Sequence, residues 1–248
     1  MITDCHVHIG KSNWLQVYSD ARDLIEAADH SGIDRMMVTD LTALIYDIEE
    51  GNRLIREAVS DYRDRMIPYY TIVTGRHGKK ILEDFERYVT DYGFRGLKIY
   101  SVPPLQLIDD PYMLPFIEKA AELRIPILAH STGAECESLS RQVPECILLN
   151  AHMGCCPQAH GDWHASVAAA KKFPNIYLDT TSSSFDNGMI EFAVEEVGAE
   201  RVLYGSDLPL LDPTLQIAKV TESDITQEQK NLILHGNIDR ILKLRGTE

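Results

Sequence analysis

The sequence predicts a (β/α)₈ barrel, the TIM-barrel form of the α/β class, as a single domain over residues 1–248. Three observations carry that prediction. Apolar, β-branched runs alternate with stretches of helical periodicity, and strands that alternate with helices pair in parallel. Eight such units follow one another with no shift of composition between them. Several of the apolar runs end on an ionisable residue, the place where barrel enzymes put their reactive groups. An open doubly wound sheet is disfavoured, because no G-x-G-x-x-G turn follows the first strand.

The elements read as follows. Ile2 to Ile9 is the first strand. Ser19 to His30 is helical and stops at Ser31-Gly32, and Ile33 to Thr39 is the second strand. Glu49 to Arg63 is helical, with Leu54, Ile55, Ala58, Val59 and Tyr62 on one face. Met66 to Val73 is the third strand and opens into the polar turn Thr74-Gly75-Arg76-His77-Gly78. Lys79 to Tyr92 is helical and ends at Gly93, a helix stop. Phe94 to Tyr100 is the fourth strand. Prolines 103, 104 and 111 mark a longer loop before a helix over Tyr112 to Leu123. Ile125 to His130 is the fifth strand and Glu135 to Gln142 a short helix. Cys146 to His152 is the sixth strand, and a helix from Trp163 to Phe173 stops before Pro174. Asn175 to Thr180 is the seventh strand, Met189 to Val197 a helix ending at Gly198, and Arg201 to Ser206 the eighth strand. Asp212 to Leu244 supplies the last helices.

Composition removes several functional classes. A net charge of −14 argues against nucleic acid or an anionic membrane as partner, since both need clustered Lys and Arg. No apolar run reaches the roughly 20 residues of a membrane span. Met1-Ile2-Thr3-Asp4 has neither the basic start nor the apolar core of a signal peptide. Five cysteines without a C-x-x-C pair fit a reduced, cytoplasmic protein better than a disulfide scaffold or zinc ribbon. The expected partner is a small-molecule substrate, and a homodimer is the expected assembly on general grounds.

The chemistry concentrates at strand ends. In Asp4-Cys5-His6-Val7-His8 the two imidazoles fall on one face of a strand, able to grip one ion, and Asp4 on that face could fix the tautomer of a ligand imidazole. The fourth strand ends with Lys98 and Tyr100, the fifth with His130, the sixth with His152, and the eighth with Gly205-Ser206-Asp207. Singly, each has a structural reading: a hydrogen-bonded core histidine, a helix-capping Asp207, an ion-paired Lys98. Together they converge on one mouth if the barrel closes, and burying them without a metal or a pairing network would be costly.

This set resembles the amidohydrolase superfamily, in its amidohydrolase-related branch of metal-dependent barrel hydrolases. The resemblance spans nearly the whole chain and includes the closing His235-Gly236-Asn237-Ile238-Asp239-Arg240-Ile241-Leu242. It implies a divalent metal, usually Zn²⁺, held by His6, His8, His130 and Asp207. It also covers both hydrolases and nonoxidative decarboxylases. The leading expectation is hydrolysis of an amide, lactone or related carbonyl by a metal-activated water, whose pKa the ion lowers from about 15.7 towards about 7. Asp207 would orient or deprotonate that water, and His152 would polarise the carbonyl or shuttle protons. The alternatives are a decarboxylase acting on a small carboxylic acid at the same site, and an inert metal-binding barrel. Lys98 has two expected roles: contact with substrate or Asp207 beside one ion, or, carboxylated, a bridge between two ions with His130 and His152 on the second. One ion is favoured. Trp14, Arg76, Tyr100, Ser131 and Trp163 are the candidate substrate contacts, with His77, Thr132, Cys155, Cys156, His160 and Ser182 on the same mouth loops.

Overall fold

Eight parallel strands run round the molecule in the order in which the chain makes them, as seen in a computed structural model that describes residues 1–13, 15–101, 107–155, 161–182 and 187–243. They are β1 (Thr3–Ser12), β3 (Arg35–Asp40), β4 (Met66–Val73), β5 (Gly96–Tyr100), β6 (Pro126–Ala129), β7 (Ile147–Asn150), β8 (Ile176–Asp179) and β9 (Val202–Leu203). A ninth strand, β2 (Val17–Ser19), adds antiparallel to the outer half of β1. The ring closes between its first and last members. Cys5 N donates to Tyr204 O at 3.0 Å, Asp207 N to His6 O at 2.8 Å, and His8 N to Leu208 O at 2.7 Å. A parallel ring with helices outside is the barrel that the alternation predicts.

Two apolar clusters hold it. Cys5, Met37, Tyr69, Leu128, Leu149 and Leu203 form an inner one, and Ile238, Ile241 and Leu242 of the last helix, α11 (Asn237–Lys243), pack against it. The Tyr69 hydroxyl, buried there, donates to Cys5 O at 3.0 Å, so the filling leaves no orphaned phenol. The outer cluster takes the alternate strand residues, such as Met36, Val38, Leu97 and Ile127, against the helix layer. That layer comprises α1 (Ala21–Ser31), α2 (Leu41–Ile45), α3 (Ile48–Ala58), α4 (Lys79–Asp91), α5 (Leu114–Glu122), α6 (Gly133–Gln142), α7 (Trp163–Lys172), α8 (Met189–Val197), α9 (Pro213–Thr221) and α10 (Gln227–Asn231). Reciprocal side-chain caps start α1 at Asp20 with Asp23 and α6 at Thr132 with Glu135.

The differences from the sequence reading are local. The helix expected over Glu49 to Arg63 ends at Ala58 and tightens into a 3₁₀ turn over Val59–Asp61. α2 and β2 are additions, and both lie just beyond strand ends. The sixth barrel strand, β7, stops at Asn150 rather than His152, because His152 and Met153 turn into the left-handed region with φ of 58° and 49°. The regular alternation expected of β1 is broken as well. Its register with β3 shifts between Asp4 and Val7, a bulge that places an extra residue in β1.

Candidate metal centre

The bulge decides what Asp4 does. Asp4 Oδ1 accepts from the main-chain N–H groups of His6 and Ser206, both at 3.0 Å, so it pins the strand seam instead of a ligand imidazole. Burial pushes this carboxyl up to about 7. The acid that meets His6 is Asp179, at the end of β8, whose Oδ2 lies 2.8 Å from His6 Nδ1 with both side chains fully buried. His8 Nδ1 faces the Thr39 hydroxyl at 2.6 Å, and His152 Nδ1 faces Thr181 O at 3.2 Å. Each of these three imidazoles therefore spends Nδ1 on the barrel wall.

The Nε2 atoms point at one another. His152 Nε2 lies 3.1 Å from His130 Nε2. His8 Nε2 lies 3.0 Å and His6 Nε2 3.7 Å from Asp207 Oδ1. Lys98 Nζ reaches His6 Nε2 at 2.8 Å. Among the described residues two donor groups result, His6–His8–Asp207 and His6–His130–His152, each with its ligand atoms within 4.8 Å of one another and with His6 common to both. Residues 6 and 207, two hundred positions apart in the chain, meet because the barrel seam joins them.

The electrostatics suit a cation. Burial pushes the His6, His8 and His130 imidazoles below their usual range, which leaves them neutral with lone pairs to offer. Burial also pulls Lys98 down to about 8. Burial raises Asp207, but contact with His8, together with the nearby His152 and Lys98, outweighs it and leaves the carboxyl below its ordinary value. Asp207 Oδ1, although buried, has no hydrogen bond of acceptable geometry. An orphaned carboxylate oxygen beside two imidazole nitrogens is the arrangement that a divalent ion would complete. The donor set of nitrogens and one oxygen fits a first-row ion.

The other expected contacts scatter. Tyr100 stays at the site, its ring edge-on to His130 with centroids 5.0 Å apart. Ser131 is buried in the wall, accepting from Asn150 Nδ2 at 2.9 Å and lying 3.2 Å from Cys136 Sγ, so its hydroxyl is committed away from the mouth. Trp163 is buried against His164 and Phe192 in the helix layer. Arg76 is exposed on the turn after β4, and the neighbouring His77 stacks on Tyr112 at 4.4 Å. Trp14, Cys156 and His160 lie outside the described residues. Sequence reading missed Asp179, Thr39 and Thr181. The available signal was that Asp179 also ends an apolar strand, as His130 and His152 do.

A closed barrel with imidazoles and a carboxylate gathered at the C-terminal ends of its strands defines a metal-dependent barrel enzyme. The chain belongs to the amidohydrolase family, whose profile matches residues 3–244, and it is an enzyme of that family. No curated protein sequence is detectably similar to it. Among solved structures, 2,6-dihydroxybenzoate decarboxylase from Rhizobium superposes with a TM-score of 0.78 at 16% identity, over 98% of this chain and 99% of that one. A dihydroxybenzoic acid decarboxylase from Polaromonas, solved with manganese and the inhibitor 2-nitroresorcinol, gives 0.77 at 16% identity, over 98% of each chain. 5-Carboxyvanillate decarboxylase from Sphingomonas paucimobilis gives 0.76 at 15% identity, over 98% of each.

Proposed function

We propose that this protein is a metal-dependent nonoxidative decarboxylase of a small carboxylic acid, and that His6, His8, His130 and Asp207 hold its ion. The observation that carries the metal site is the buried, unbonded Asp207 Oδ1 facing the Nε2 atoms of His6 and His8. Decarboxylation is preferred over hydrolysis because the fold is shared, end to end, with three decarboxylases of aromatic acids, one of them solved with manganese. The family alone accommodates either reaction.

A divalent ion held by these residues would supply positive charge to stabilise the negative charge of the substrate. The chain supplies the rest. Loss of carbon dioxide breaks a carbon–carbon bond and leaves an electron pair on carbon, which must be protonated. His152, whose Nε2 lies 3.1 Å from His130 Nε2, is the first candidate to deliver that proton, and Asp207 the second. Tyr100, half-buried beside His130, offers a ring face and a hydroxyl to an aromatic substrate. Lys98, fully buried on His6 Nε2, keeps positive charge at the centre.

The test is a panel assay on protein reconstituted with Mn²⁺ or with Zn²⁺. Hydroxybenzoic acids are compared with lactones and amides, reading carbon dioxide release against incorporation of oxygen from labelled water. Chelator-sensitive release of carbon dioxide supports the proposal. Incorporation of labelled oxygen without carbon dioxide assigns the site to hydrolysis instead.

A further inference from the structure

Asp179 carries three hydrogen bonds on two oxygens. Oδ2 faces His6 Nδ1 at 2.8 Å and accepts from the His152 main-chain N–H at 3.3 Å, while Oδ1 accepts from Thr181 N–H at 2.9 Å. The His152 backbone that it holds is left-handed, φ 58° and ψ 23°, a conformation that a non-glycine residue keeps only when its surroundings enforce it. The chain has made room for this carboxylate. A Cβ on Gly205 would overlap Asp179 Oδ1 and Thr181 Oγ1, and would stand 3.0 Å from His6 Cβ. Glycine at 205 is thus what lets β8 bring its acid against β1.

The partners of His6 and His8 differ in kind. A hydroxyl can donate or accept, so Thr39 leaves the His8 tautomer open. A carboxylate only accepts, so the imidazole opposite it must carry its proton on the facing nitrogen. The remaining nitrogen, Nε2, then carries the single lone pair, which faces Lys98 Nζ at 2.8 Å and lies 3.7 Å from Asp207 Oδ1, and which an ion would take in place of Lys98.

We infer that Asp179 is a positioning residue that holds His6 as the Nδ1–H tautomer, with its Nε2 lone pair turned to the centre of the site, and anchors the strained main chain of His152 beside it. The inference rests on the metal-site reading above and deepens it. One carboxylate then orients a ligand shared by both donor groups and the candidate proton donor of the reaction.

Asp179→Asn in the full-length chain is the test. An amide has one acceptor oxygen for three donors, so its NH₂ must face either Thr181 N–H or His6 Nδ1. Mn²⁺ affinity, read by competition with a chromophoric chelator, is expected to fall about 10- to 100-fold. Long-range ¹H–¹⁵N spectra of the metal-free wild type, assigned with His6→Gln, are expected to show Nδ1–H at His6. Equal Mn²⁺ affinity in variant and wild type overturns the inference while leaving the metal site standing. An Nε2–H tautomer in the wild type overturns it whether or not the variant folds. A wild-type chain that takes up neither Mn²⁺ nor Zn²⁺ overturns the metal-site reading, and this inference with it.

Discussion

The two ends of the barrel treat buried charge in opposite ways. At the lower end, where the strands begin, Asp239 of α11 is paired: its Oδ1 accepts from Arg35 and the Thr3 hydroxyl, and His235 lies 3.5 Å from its Oδ2. Arg95 is likewise spent on Leu242 O. At the upper end Asp207 has no good hydrogen bond for Oδ1, and at the site itself His152, Met153 and Asp207 hold positive φ of 58°, 49° and 61°. Left-handed backbone at such residues costs of order 1–3 kcal/mol each. Polar groups that satisfy one another stabilise a fold. Polar groups left without a well-aligned hydrogen bond keep their lone pairs for something else.

That contrast breaks first at His8. His8→Ala should strip the ion and reduce activity to background, and the metal-free protein should melt somewhat lower than metal-free wild type, because a buried imidazole bonded to Thr39 is lost. Inductively coupled plasma analysis and thermal melts check both halves; a variant that keeps its ion and its turnover removes the upper end from the chemistry. His152→Ala should keep the ion and lose about 10²- to 10⁴-fold in turnover, as expected for a proton-transfer group. Loss of the ion in that variant would make His152 a ligand and favour the two-ion arrangement with Lys98.

Asp239→Ala probes the other side of the comparison. It should cost about 2 kcal/mol by denaturant titration, less than for a fully buried pair because Arg35 is a third exposed, with unchanged activity per folded molecule. Lost activity at unchanged stability would contradict the division of labour. A last effect, confined to alkaline pH, is at Cys146, just before β7 at the lower end, where burial raises the thiol to about 11. The folded chain then binds that proton more tightly than the unfolded one. Its contribution is complete below about pH 9 and is lost as pH rises towards 11, at most about 3 kcal/mol. Stability profiles of wild type and Cys146→Ala should converge over that window; parallel profiles would show the thiol to be without effect.

The parts legible in the sequence are those set by periodicity and by position along a strand. Met66–Val73 and Met189–Val197 stand where the pattern puts them, and His6, His8, His130, His152 and Asp207 converge because strand ends share one mouth. What was illegible depends on neighbours far away in sequence. Asp4 is two residues from His6 but serves main chain across the seam, through a bulge that no alternation rule foretells. Asp179 meets His6 from 173 residues away, and its role becomes visible only when Gly205 is seen to clear the space. Ser131 and Trp163 carry the residue types of a binding surface, yet packing turned them into wall.

The seam that joins residues 5–8 to residues 204–208 has a consequence for how the protein is born. On the ribosome, Asp207 emerges about two hundred residues after His6 and His8, so the trio cannot assemble before the last barrel strand has been made. A nascent polypeptide stalled before β9 would hold both histidines and lack the acid that completes the trio.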